Sequence, residues 1–336
     1  MLKGAVIGFG KIATTGHMPA YCTKEISEKA EIIAAVEPNI NTAEEQKAAY
    51  PKIKFYNSMD VMLENEAVDF IDICTPPKFH VDAIEKAAAK GISIICEKPL
   101  AIYISEAAKI YRKIHSEGLV FSACHQYKYS SVWKEFKVFM DALPPAEKIF
   151  LQFNVYRTRP DTGYFDADPE WRANKDISGG GILSDTGVHY LYLANWLMGN
   201  PRSVFTKNAN LSGKLLNVED SSFTIIEYAR GIAQINLTWG ANARENYARA
   251  VSPNASLLYA RDKLYKNIAG VSEETNISDV SDKSAYINMY RDLFLEFLDK
   301  VRKNDKNLQS LTEAFETITL LDSCYRSSLC NKVEQL

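Results

Sequence analysis

The feature that most restricts the fold of this chain is an alternation of two periods across its first 124 residues. Short apolar runs, AVIGF (5–9), IIAAV (32–36), FIDIC (70–74), ISIIC (92–96) and VFSAC (120–124), are separated by helical patterns. Those patterns include NTAEEQKAAY (41–50), KFHVDAIEKAAAKG (78–91) and ISEAAKIYRKIHSEG (104–118). A run without polar alternation reads as a strand covered on both faces, and strands alternating with helices read as a parallel sheet with crossover connections. Gly91 and Gly118 stand where the last two helices should stop.

Beyond residue 125 the pattern changes. KIFLQFNVYR (148–157) reads as a long strand, followed by a polar, aromatic, Pro-containing loop and then SGGGILSDTGVHYL (178–191). FTIIEYA and IAQINLTW, parted by Arg230-Gly231, read as a hairpin, so antiparallel pairing is expected here. At 336 residues the chain suits two domains. The expected division is an α/β unit over 1–124 and an α+β unit over 125–336. GVSEETNISDVSDKS (270–284) reads as an exposed loop, and the amphipathic helical section after it is expected to pack back on the first domain.

Charge and apolar content exclude several classes. The 39 basic and 42 acidic side chains leave a net charge of −3, with no footprint for nucleic acid or an anionic membrane. The longest apolar stretch, HYLYLANWLMG, is far shorter than the ~20 residues of a membrane span. The six cysteines form no CxxC pair, and Cys74, Cys96 and Cys124 lie in apolar runs, so free buried thiols and a reducing cytoplasm are expected. MLKGAVIGFG opens directly in a strand pattern, which leaves no room for a leader peptide.

Gly8-Phe9-Gly10-Lys11-Ile12-Ala13 is a G-x-G-x-x-A string at the exit of the first strand. In that position Gly8 permits a tight turn, Gly10 lets backbone approach a pyrophosphate, and Ala13 lets the following helix sit close. The amides opening that helix, at Lys11 and Ile12, would face the phosphates. Glu37, at the end of IIAAV, suits the two ribose hydroxyls of NAD and would repel the 2′-phosphate of NADP, although a turn with Pro38 and Asn39 is its plainer role. Thr75-Pro76-Pro77 either hold the chain extended beneath a cofactor or form a rigid turn. ICEKPLA (95–101) sets Lys98 at the carboxyl edge of the sheet, where ligands bind in such folds.

Asp185 and His189 stand four residues apart, on one face of an α-helix, which fits a functional pair or a structural hydrogen bond. The G-x-G-x-x-A turn, TPP-x-x-H (75–80), EKP (97–99) and GGG-x-x-x-D-x-x-x-H (179–189) occur in the order and at the spacing of the Gfo/Idh/MocA oxidoreductases. The chain resembles that family over essentially its whole length. The resemblance implies an N-terminal Rossmann domain with a doubly wound parallel sheet. It also implies a C-terminal α+β domain on a large, mostly antiparallel open sheet, through which a homodimer or homotetramer would form. A nicotinamide cofactor and a sugar, nucleotide sugar or cyclitol substrate follow from it, and by motif position Lys98, Asp185 and His189 are the catalytic group.

His189 is then the general acid/base. Lys98 steadies charge on the reacting oxygen, and Asp185 orients the imidazole or binds a neighbouring hydroxyl. Glu97, His80 and His125 join the cofactor group, with packing as the alternative for His80 as for His17. Tyr127, Arg157, Trp171 and Arg172 are candidates for the substrate: a ring can cover a sugar face and a guanidinium can grip hydroxyls or an anion. Arg159 stands beside Arg157 and Asn174 beside Arg172, Arg244 is a weaker candidate, and His115 reads as surface. Gly179–Gly181 are read as room for cofactor or substrate to approach, or else as a flexible loop. Asp185 and His189 alone make a poor metal site, and none is expected. An NAD-dependent glycosidase with transient oxidation and a non-catalytic dinucleotide sensor stand as alternatives to the dehydrogenase.

Overall fold

A computed structural model describes residues 1–160, 171–212, 217–277 and 283–336. These residues fall into two compact units, one holding 1–126 and 286–315, the other 127–160, 171–285 and 316–336, less the gaps just given.

The first unit is built on six parallel strands: β1 (Leu2–Ile7), β2 (Ala30–Val36), β3 (Lys54–Tyr56), β4 (Phe70–Ile73), β5 (Ser93–Cys96) and β6 (Phe121–Ala123). Their order across the sheet is β3-β2-β1-β4-β5-β6, the doubly wound order that reverses direction beside β1. Val6, Ile71, Ile73, Ile94 and Ile95 are wholly buried, as the unbroken apolar runs require. β3 was not legible as a strand, because three residues, KFY, carry no period. Gly118 ends the helix Ile104–Glu117 in the left-handed region, and Gly91 has a positive φ just past His80–Ala89.

The α-helical ladder of the first helix is interrupted near Pro19. A single long helix broken at Pro19 would follow the glycine turn on pattern alone. The chain is helical without a break from Lys11 to Tyr21, and a π-helical turn at Ala13–His17 changes the pitch just before Pro19, which cannot donate an amide to the ladder.

The second unit carries a nine-stranded sheet. Its strands are β7 (Ile149–Tyr156), β8 (Pro201–Ala209), β9 (Ser221–Tyr228), β10 (Gly231–Thr238) and β11 (Glu245–Val251), with β12 (Ala255–Ala260), β13 (Lys263–Ile268), β14 (Val271–Asn276) and β15 (Glu334–Gln335). The order is β14-β13-β12-β11-β7-β10-β9-β8-β15, antiparallel throughout except between β7 and β10. β14 corrects the reading of 270–284 as loop. Its side chains are all exposed, so it has no buried face to produce alternation, and backbone pairing with β13 alone makes it a strand. Residues 278–282 of that stretch lie outside the described residues.

One face of this sheet packs under the helix Val188–Met198, which is apolar on nearly every side and correspondingly buried. Trp133, Phe153, Tyr190 and Tyr259 meet edge to face there. The β9–β10 hairpin turns through Ala229 and Arg230 and enters β10 at Gly231, whose φ is +138°. A Cβ at Gly231 would lie 2.0 Å from the Ile149 carbonyl oxygen, so the hairpin and the neighbouring strand need glycine together. Gly231→Ala should therefore lower the unfolding free energy by about 2 kcal/mol or more, read by denaturant titration; a loss below about 0.5 kcal/mol would contradict the geometry.

Candidate active site

In the first unit, the carboxyl ends of adjacent strands β1, β4, β5 and β6 lead directly into Gly8–Ala13, Thr75–Pro77, Glu97–Pro99 and His125. Gly8 has φ +85°, and a Cβ there would meet Thr75 Cγ2 at 2.9 Å and its backbone nitrogen at 3.0 Å. The loop after β4 is thus pressed on the glycine turn. Gly10 has nothing within 4 Å of its Cβ position, which leaves the open backbone approach that a pyrophosphate needs. The residues fit a dinucleotide.

Glu37 adds a tie that the motif did not reveal. Its Oε2 accepts the Phe9 amide at 3.0 Å and its Oε1 accepts the Asn39 amide at 2.9 Å. The acid that would face the ribose also holds the glycine turn against the end of β2. Each carboxylate oxygen retains a lone pair for a further donor.

Lys98 is half-buried, its amide donating to Glu97 Oε2 at 3.1 Å, and its peptide bond to Pro99 is cis. His80 bridges the loops after β4 and β5: Nδ1 lies 3.0 Å from the Pro99 carbonyl oxygen and Nε2 lies 2.8 Å from that of Thr75. Burial pushes its pKa below the ordinary value, with the carbonyls pulling the other way. His80 is thus packed between these two loops. His125 is buried at the end of β6.

In the second unit, Asp185 lies within a second π-helical turn, Leu183–Gly187, and His189 is the second residue of the α-helix Val188–Met198. The two therefore straddle a change of helical pitch, and the simple α-helical spacing does not describe their facing. The described residues hold two π-helical turns: Ala13–His17 begins at the last residue of the glycine string, and this one lies within 179–189. Such turns are rare and concentrate at functional sites.

The Asp185 carboxylate accepts Arg172 Nε at 3.1 Å, and the same guanidinium lies 4.3 Å over the Trp171 ring. Three of the candidates are thereby drawn into one group. His189 is buried and stacks flat on Tyr127, the rings 4.2 Å apart and 10° from parallel, so Tyr127 fixes the imidazole plane. Arg157 is tied to its own sheet. Its Nη1 donates to the Tyr156 carbonyl at 2.8 Å and to Asn246 Oδ1 at 2.7 Å, bracing the edge between β7 and β11. Arg159, Asn174, Arg244 and His115 are exposed.

The glycine run has a different reason from the one expected. Glu219 Oε1 accepts the amides of Gly181 at 2.9 Å and Leu183 at 3.1 Å, and the Tyr325 hydroxyl at 2.8 Å. A Cβ at Gly180 would fall 1.8 Å from Tyr325 Oη, and one at Gly181 would fall 1.8 Å from the Glu219 carbonyl oxygen. Gly179 closes the short helix Lys175–Ser178 at φ +80°. So the glycines admit this unit's own Glu219 and Tyr325, which cap the segment carrying Asp185 and His189. No motif marked either residue, because a cap supplied from far along the chain leaves no local spacing.

Burial raises the Glu219 pKa despite those donors. A raised folded-state pKa contributes stability below the unfolded value that is lost as pH rises through the folded one. Glu219→Gln should abolish that decline and melt no lower than wild type at pH 8, because the amide oxygen keeps the three bonds without the buried charge. Glu219→Ala should cost about 2 kcal/mol by stranding two amides and a hydroxyl. Equal melting temperatures for the alanine variant and wild type would rule out the cap.

The family model for the oxidoreductase family with an NAD-binding Rossmann fold matches residues 2–125, and the model for the GFO/IDH/MocA C-terminal domain matches residues 149–257. The chain is 27% identical to an uncharacterized protein of Saccharomyces cerevisiae, with 99% of each covered. It is 25% identical to D-glucoside 3-dehydrogenase of Escherichia coli over 75% of this chain and 74% of that protein. An Agrobacterium radiobacter oxidoreductase, solved with NAD+, L-tartaric acid and magnesium, superposes with a TM-score of 0.86 at 16% identity, covering 99% of this chain and 98% of that one.

Proposed function

The chain belongs to the Gfo/Idh/MocA oxidoreductase family, and from that premise we propose that it is an NAD-dependent dehydrogenase acting on a secondary hydroxyl of a sugar, nucleotide sugar or cyclitol. The observation that carries the reading is the edge formed by β1, β4 and β5. A turn with open backbone at Gly10, the Thr75–Pro77 loop and Lys98 leave three adjacent strands at their carboxyl ends. The similarity to a glucoside dehydrogenase supports the carbohydrate class.

When bound, the nicotinamide supplies the hydride acceptor. Oxidation also requires that the hydroxyl lose a proton. His189, its plane fixed by Tyr127, takes that proton. The Lys98 ammonium donates to the substrate oxygen and offsets the negative charge that develops on it. Asp185, held by Arg172, accepts from a neighbouring hydroxyl, and Trp171 beside them offers a ring to a sugar face. Glu37, at the end of β2, would accept from ribose hydroxyls and repel a 2′-phosphate, which favours NAD over NADP.

The outer face of the nine-stranded sheet exposes Phe150, Phe223, Ile225, Ile232 and Tyr265, which supports a homodimer or homotetramer formed there. No helix among the described residues is long and apolar enough to cross a membrane. The buried thiols of Cys74, Cys96, Cys124 and Cys324 suit a reducing cytoplasm.

The deciding experiment presents the protein, with NAD and with NADP, to sugars, sugar phosphates, uronates, nucleotide sugars and inositols while following reduced-nicotinamide absorbance. Turnover of at least one polyol is expected; NAD binding with silence across the panel would count against a dehydrogenase. Lys98→Ala should slow turnover about a hundredfold or more while NAD affinity stays within a few-fold, and near-normal turnover would remove Lys98 from the mechanism. Glu37→Ala should narrow the ratio of kcat/KM for NAD over NADP, an outcome already contradicted if wild type prefers NADP.

A further inference from the structure

The imidazole of His17, with no exposed surface, lies between two carboxylates in the first unit. Nδ1 is 2.7 Å from Asp72 Oδ2 and Nε2 is 2.9 Å from Glu97 Oε1. Acceptors at both ring nitrogens call for two N–H donors, which the imidazolium supplies and neutral histidine does not. Burial opposes the charge, but Asp72 chiefly, with Cys74, lifts the ring's pKa well above its ordinary value. Burial likewise opposes ionisation of Glu97, yet the His17 bond leads the contacts that hold its carboxyl below the usual range. The titratable groups around the ring are Asp72, Cys74, Glu97, Cys124, Tyr290 and, through Asp72, Tyr21.

Each member comes from a different part of the unit. His17 ends the π-helical turn that follows Gly8–Ala13, Asp72 lies in β4, and Glu97 follows β5. The Tyr290 hydroxyl, from the helix Lys283–Lys303, donates to Glu97 Oε1 at 2.6 Å, while Gln126 Nε2 donates to Tyr290 Oη at 3.1 Å. Glu97 divides its two oxygens: Oε1 takes His17 and Tyr290, and Oε2 takes the Lys98 amide. A buried ion pair gains little stability over an apolar replacement, so its worth lies in the geometry it enforces.

We propose that His17 and Glu97 are positioning residues, joining the helix that receives the dinucleotide phosphates to Lys98 through one buried charged unit. The proposal rests on the role given to Lys98 above. Cofactor and lysine are thereby held in one frame, where a shift of about 1 Å can cost about a hundredfold in rate.

The test uses the full chain with NAD. His17→Gln and Tyr290→Phe are each made in wild-type and Lys98→Ala backgrounds, the second keeping the proposal open to test should the first fail to fold. In the wild-type background His17→Gln should lower kcat about tenfold or more with KM for NAD changed less than about threefold; beside Lys98→Ala it should lower kcat less than about twofold. Tyr290→Phe should show the same pattern at smaller size. Equal factors in both backgrounds would mean a merely structural role and overturn the proposal.

A second readout needs no substrate. With lysines 13C-methylated, the Lys98 resonance, identified by its loss in Lys98→Arg, should shift on NAD addition, and Tyr290→Phe should lose about half of that shift or more. An unchanged shift overturns the proposal even if no polyol is turned over, so its failure is separable from failure of the dehydrogenase reading. A stoichiometric metal ion that vanishes in His17→Gln would overturn it too, since a cation would then join these donors in place of the ring protons.

Discussion

A parallel sheet delivers the carboxyl end of every strand to the same edge, and the chemistry of the first unit depends on that constraint. Gly8–Ala13, Thr75–Pro77, Lys98 and His125 are far apart in sequence and adjacent only because β1, β4, β5 and β6 are neighbours. The edge is also where backbone amides lose their ladder partners. Side chains supply replacements there: Glu37 takes the amide of Phe9, and Glu97 takes that of Lys98. Groups that look dedicated to a ligand therefore serve the fold as well, as His80 does between the Thr75 and Pro99 carbonyls.

The second unit solves a related problem by different means. Its candidate residues sit where a π-helical turn meets an α-helix, and the orphan amides at that entry are taken by Glu219. Tyr325 excludes a side chain from Gly180, and Glu219 excludes one from Gly181. Beyond it, Tyr127 holds His189 by stacking and Arg172 holds Asp185 by charge, so each polar group arrives with its orientation restricted.

Much of this was legible in the sequence, for reasons that can be named. Strands buried on both faces write continuous apolar runs, so β1, β2, β4, β5 and β6 were readable, whereas three-residue β3 and fully exposed β14 had no period to show. The glycine turn was readable because its positive φ and its close neighbour demand glycine at Gly8. Lys98, Asp185 and His189 were nominated by the resemblance to the family, whose motifs occur here in the same order and at similar spacing. The supports of the neighbouring backbone and side chains were not, since Glu219 and Tyr325 reach the glycine run, and Asp72 and Tyr290 reach His17 and Glu97, from far along the chain. The π turn that holds Asp185 was not legible, because such a turn leaves no residue signature. His17 read equally as a cofactor-site residue or a packed histidine, and its two carboxylates could not be foreseen.

The span of these contacts bears on how the chain is made. Glu97 meets Tyr290 across 193 residues, and Glu219 meets Tyr325 across 106. A ribosome releases the nucleotide-binding strands long before Tyr290 exists, so the nascent first half carries a carboxylate still short of its hydroxyl donor. The helix with His189 likewise waits for Tyr325. Neither half can reach its final state in the order of its synthesis, and the finished arrangement of the candidate residues belongs to the last part of the chain to emerge.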